Sequence, residues 1–159
     1  LVRGEVVEMP SRYPRHGQID SQITVLLKRA QKASPGRHVV SDDAGVITER
    51  DPDTFRGPDV AFYSFARVPP GPFQRDQYLA AVPDLVFEVR SPTDRWRDLL
   101  GKVHEFLNIG VSAVCVLDDE TGEAQVFDDQ GISVLDGNGD LKFPQIVPGF
   151  RSRVRQFFE

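Results

Sequence analysis

The chain has 159 residues and a net charge of −5, with 40% hydrophobic and 27% charged residues. That length suits one domain over residues 1–159, large enough to bury a core without staples, and the composition is that of an ordinary globular chain. No apolar run approaches about 18 residues, which excludes a membrane-spanning helix, and the acidic balance argues against a high-affinity, sequence-independent nucleic-acid coat.

No signal peptide is visible, and the first residue is Leu1 rather than Met, so an N-terminal segment is expected to precede it. The lone cysteine, Cys115, sits in the apolar run Val114–Leu117 and reads as a small buried hydrophobe. It cannot form an internal disulfide, and a reducing, cytoplasmic location fits.

In chain order, residues 2–9 read as a strand stopped by Pro10, and 11–17 as a loop rich in Arg and Pro. Ile19, Ile23, Leu26, Leu27 and Ala30 recur at helical spacing and predict a helix over 18–33, ended by Pro35-Gly36. Two short strands are expected near 37–41 and 45–49, followed by a polar loop, 50–57. Residues 58–65 predict a strand, and the Pro-rich stretch 68–83 reads as a flap or a short helix. Residues 84–90 (DLVFEVR) form a second strong strand.

Ser91-Pro92-Thr93-Asp94 has the form of a helix start, with a capping Ser, Pro at the first helical position and an acid three residues after the cap. The helix then runs to about Ile109 with Trp96, Leu99, Leu100, Val103, Phe106 and Leu107 on one face, and Gly110 is placed as its cap. Strands at 111–118 and 123–128, a hairpin over 131–143 and a short helix over 154–158 complete the chain. The strand–helix–strand unit at 84–118 implies a parallel crossover, and the meander before it implies antiparallel pairing. The predicted class is α/β, with a central mixed sheet flanked by helices.

Glu88 is the most informative residue, because a carboxylate inside an apolar strand must be solvated, paired or bound to a cation. Alternation places it on one face with Val86 and Arg90, and the bland reading is an outward Glu paired with Arg90. Asp59 follows Pro58 at a strand start, where Asp is common punctuation. If the two strands are neighbours, these carboxylates converge, and with a backbone carbonyl and waters they make an octahedral magnesium site.

Lys102 flanks the apolar stripe of the second helix. It either pairs with Asp98 one turn away or stands near the metal, orienting a water or offsetting phosphate charge. His16, in a basic loop with Arg12 and Arg15, could face a phosphate at a helix N-terminus or be plain solvated surface. Glu5 is a candidate third acid or a surface Glu. No phosphate-binding P-loop, nucleophile elbow, zinc-protease or dinucleotide fingerprint is present.

The segments Glu49–Ser64 and Ala81–Asp94 resemble the Uma-two family of endonucleases, a branch of the restriction-endonuclease-like PD-(D/E)XK superfamily. The likeness extends to Gly4-Glu5, His16-Gly17, the helix with Lys102, Leu117-Asp118-Asp119 and Val147-Pro148-Gly149-Phe150. The resemblance implies the restriction-endonuclease-like fold. It implies that Asp59, Glu88 and the backbone carbonyl of Val89 hold magnesium or manganese, with Glu5 auxiliary.

The third position of the strand motif is Arg90 rather than Lys, and the resemblance moves the catalytic lysine to Lys102. Cys115 stands where an aromatic is more usual. The implied function is metal-dependent endonuclease cleavage of DNA. A homodimer is expected where both strands of a duplex are cut. The alternative is a non-catalytic nucleic-acid-binding or interaction module that keeps the nuclease fold.

Overall fold

A computed structural model describes residues 1–7, 12–33, 36–42, 44–74 and 78–159. Helix α1 (Pro14–Ala33) is followed by β1 (Arg37–Ser41), β2 (Val46–Glu49), β3 (Thr54–Arg56), β4 (Val60–Ser64) and β5 (Leu85–Arg90). Then come α2 (Trp96–Asn108), β6 (Ala113–Asp118), β7 (Glu123–Asp128), β8 (Gly131–Leu135), β9 (Asp140–Lys142), β10 (Arg151–Arg153) and a final 3-10 turn, Val154–Phe157.

Six strands form one mixed sheet in the order β1-β4-β5-β6-β7-β8. Only β5 and β6 run parallel, with Glu88 opposite Val116 and Arg90 opposite Asp118. The α2 crossover between them makes that pairing available, since parallel neighbours need a long connection.

Strand alternation sends Leu85, Phe87 and Val89 into one core with Ile19, Ile23 and Leu27 of α1 and Phe143, Phe150 and Phe157 of the C-terminal segment. Val86, Val114 and Val116 face the opposite way, against Leu99, Val103 and Phe106 of α2. The sheet therefore lies between the two helices, and β5 is buried on both faces. Cys115 is fully buried as expected, and burial pushes its thiol pKa up.

Several expectations are corrected. Among the described residues of 2–9 there is no strand; Val2 and Glu5 bridge each other across a tight turn, with Arg3 and Gly4 at positive φ. Residues 8–11, and Pro35 as the stop of α1, lie outside the described residues. Helix α1 begins at Pro14, four residues earlier than predicted, because proline is well suited to the first helical position. The polar loop 50–57 contains β3, paired antiparallel with β2.

Ser91–Asp94 closes a separate turn, with the Ser91 N–H donating to Asp94 Oδ2 at 2.8 Å, and α2 starts only at Trp96. The 131–143 region is not a hairpin: β8 pairs with β7, while β9 pairs with β10. The described residues of 68–83 form neither helix nor strand; residues 75–77 lie outside them.

Phe157 is fully buried, with its ring centroid 6.0 Å from Phe87. Phe157→Ala should cost roughly 3–5 kcal/mol of unfolding free energy. Urea unfolding followed by circular dichroism checks this, and a loss under about 1 kcal/mol would mean the terminal turn does not help close the core.

Candidate active site

Strand pairing explains where the two acids meet. The last β4–β5 register pair at this end is Val60 with Phe87, so Val89 extends past the ladder and its N–H needs another acceptor. Asp59 supplies one: its Oδ2 accepts the Val89 N–H at 2.6 Å. The N–H and C=O of one strand residue project to the same side, so the Val89 carbonyl shares that edge.

Asp59 is 1% exposed. Its Oδ1 accepts from the Arg12 guanidinium, and His16 Nε2 stands 3.4 Å from its Oδ2. Burial raises its carboxyl pKa, but His16, Lys102 and Arg12 together hold it below the usual carboxylate range.

Glu88 lies on the α2 face of the sheet and is 3% exposed. Its Oε2 accepts from Lys102 Nζ at 2.7 Å, and the same ammonium donates to the Gly57 carbonyl at 2.7 Å. Its Oε1 is buried without a hydrogen-bond partner. Burial pushes the Glu88 carboxyl pKa well up; the Lys102 ammonium opposes this and the Asp59 charge adds to it. A buried carboxylate oxygen left unsatisfied beside a second acid is a spare ligand position, and an oxygen donor set of this kind suits a hard divalent cation.

The structure brings Asp59, Glu88, Lys102 and His16 together and settles which side chains pair. Glu88 does not pair with Arg90. Arg90 turns across to β6, bonding Asp118 at 2.9 Å and Glu120 at 2.9 Å and covering the Trp96 ring. Lys102 bonds Glu88 and Gly57 rather than Asp98. The side chain at the usual lysine position is thus committed elsewhere, and Lys102 stands against the acid from the following helix. Glu5 is exposed, and its backbone closes the turn with Val2.

Three supporting groups were not visible in the sequence. Asp20 bonds His16 Nδ1 at 3.1 Å, an i,i+4 relation within α1; it appears only once the helix is known to include residue 16. Arg12 reaches both Asp59 and His16. Glu105 anchors Arg56 at 2.5 and 2.6 Å and accepts from Thr48 at 3.1 Å, which fixes the strand leading to the Gly57 carbonyl.

Ligand atoms of His16, Asp20 and Asp59 lie within 4.8 Å of one another, so this trio is a second arrangement able to hold a metal ion among the described residues. Burial alone would lower the His16 pKa, but the hydrogen bonds to Asp20 and Asp59 raise it from 6.5 to about 10.

The sequence matches the Uma2 family, described as "Putative restriction endonuclease", over residues 1–155. The chain belongs to this family. A solved structure from Anabaena variabilis ATCC 29413, described as a putative nuclease, shares the fold with a TM-score of 0.80 at 16% identity, covering 99% of this chain and 87% of that one. No curated protein matches the sequence. The expected restriction-endonuclease-like architecture is the one observed, with a mixed sheet and a helix on each face, and no helix among the described residues is long and apolar enough to cross a membrane. In this member of the Uma2 family the lysine beside the acidic pair comes from α2.

The raised His16 pKa has a thermodynamic consequence. A folded pKa above the unfolded value stabilises the protein fully below pH 6.5, and that contribution is lost as pH rises through about 10. Urea midpoints in EDTA should fall more steeply over this window in wild type than in His16→Gln. Parallel curves for the two proteins would mean that His16 is not held as the cation.

Proposed function

We propose that the chain is a magnesium- or manganese-dependent endonuclease that hydrolyses DNA phosphodiester bonds. The observation carrying this reading is the orphaned Glu88 Oε1, buried next to Asp59 with the Lys102 ammonium on the other Glu88 oxygen. Asp59, Glu88 and the Val89 carbonyl would hold the cation; Glu5 is exposed and is at most an auxiliary acid. The cation would supply Lewis-acid polarisation of a phosphate and a more acidic water.

The remaining steps belong to side chains of this chain. Lys102 would offset negative charge growing on the phosphoryl oxygens and orient the attacking water. Its tie to the Gly57 carbonyl fixes the ammonium before substrate arrives, so little reorganisation is needed at that moment. Arg12, just ahead of α1, would face the phosphate chain, while the buried His16 holds Asp59 in place. On duplex DNA, two copies would place one such site at each strand, which is the reading that favours a homodimer.

Cleavage of linear, supercoiled and single-stranded DNA with magnesium or manganese tests the proposal. Wild type should cut, and Asp59→Asn or Glu88→Gln should lower turnover at least about a hundredfold while remaining folded. Metal uptake without cutting of any DNA would refute the substrate assignment. Absence of metal uptake would leave the non-catalytic nucleic-acid module.

Lys102→Ala should keep metal affinity, read by calorimetry, within a few-fold of wild type and slow turnover by roughly two orders of magnitude. Full activity in that variant would remove Lys102 from the chemistry.

A further inference from the structure

A cavity of about 570 Å³ lies against the cationic partners of the acidic pair. Lys102, which bonds Glu88, and Arg12, which bonds Asp59, both line it. Its volume falls in the range typical of sites that enclose a small organic ligand, and its lining includes two aromatic rings. Phe55 of β3 and Tyr78 pack edge to face there, with ring centroids 5.2 Å apart at 64°.

The local sequence builds this platform. A Cβ at Gly45 would come within 3.3 Å of the Phe55 ring and 3.4 Å of the Tyr78 ring, so glycine at this position lets the two rings close over the start of β2. Strand β3 is held on both sides of Phe55. The Phe55 N–H donates to the Leu1 carbonyl at 2.9 Å, and the neighbouring Arg56 is clamped by Glu105. Tyr78 is 74% exposed, a large aromatic surface next to a cationic wall.

From this arrangement we infer that the cavity seats an unstacked nucleobase of single-stranded DNA. The inference rests on the endonuclease reading above for the identity of the polymer. Aromatic faces stack on any base, and flanking cations track the phosphates, which is the general design of single-strand recognition. A base seated between Phe55, Tyr78 and the wall carrying Arg12 and Lys102 brings its own phosphate to Asp59 and Glu88. A base held in a duplex cannot enter without leaving its stack and its partner. The substrate class is therefore a single strand or an unpaired end, recognised by stacking rather than by base-edge hydrogen bonds. One site is enough for it, so a second copy is not required.

Fluorescence anisotropy in EDTA, with labelled oligo-dT and the same strand annealed to oligo-dA, tests this without cutting. Wild type should bind the single strand at least about tenfold more tightly than the duplex. Tyr78→Ala should weaken single-strand binding by about 5- to 100-fold with duplex affinity unchanged. Tyr78→Trp should retain single-strand binding, which separates stacking from a change of fold.

Duplex binding as tight as single-strand binding, or Tyr78→Ala with undiminished single-strand affinity, would overturn the inference. Metal-dependent cutting of duplex with no effect of Tyr78→Ala would overturn it and leave the endonuclease reading intact. Tyr78-dependent single-strand binding without cleavage under any metal would support the seat and refute the endonuclease reading.

Discussion

Two carboxylates buried side by side are the constraint around which this molecule is arranged. Asp59 and Glu88 are 1% and 3% exposed, and ionised acids so placed are costly unless cations and donors surround them. Every nearby element contributes one. The region of the α1 N-terminus brings Arg12 and His16 to Asp59, β5 adds the Val89 N–H, and α2 brings Lys102 to Glu88. Even the strand before Asp59 takes part, since the Gly57 carbonyl holds the Lys102 ammonium and the Arg56–Glu105 pair steadies that strand.

Compensation is uneven between the two acids. Asp59 has donors on both oxygens and a pKa held low, whereas Glu88 has one oxygen satisfied, one orphaned and a pKa pushed up. A stable core would not leave a fully buried carboxylate half-paired without return. A divalent cation between the two acids would supply the missing partner and favour the ionised form of Glu88. In this structure Arg12 and Lys102 offset the two acids, and both residues also line the aromatic cavity.

Much of this was legible in the sequence because it rests on local patterns. The alternation in LVFEVR gave β5 and put Glu88 on a face opposite Phe87, and the helical spacing of Leu99, Val103 and Phe106 gave the α2 stripe. What escaped was of two kinds. Some local signals served another purpose: Ser91–Asp94 closes an independent turn rather than capping α2, and the turn expected to close a hairpin within 131–143 leads to a strand that pairs forward with β10 rather than back with β8. Other contacts join residues far apart in the chain, such as Arg12 with Asp59, 47 positions apart. Local spacing offered Lys102 the Asp98 pair as readily as a place beside the acids, and Glu88 an Arg90 pair as readily as a cation. The early start of α1 at Pro14 hid the His16–Asp20 pair for a different reason: it is a helical i,i+4 contact only once the helix includes residue 16.

The most direct measurement is a crystal structure of the protein with manganese, read by anomalous difference density, which locates the ion independently of any activity. The account predicts a peak bonded to the carboxylates of both Asp59 and Glu88 and bordered by the Val89 carbonyl, with Lys102 moved from a direct ion pair to a flanking position. A peak held by His16, Asp20 and Asp59 without Glu88, or no peak at manganese concentrations that support cleavage, would contradict it.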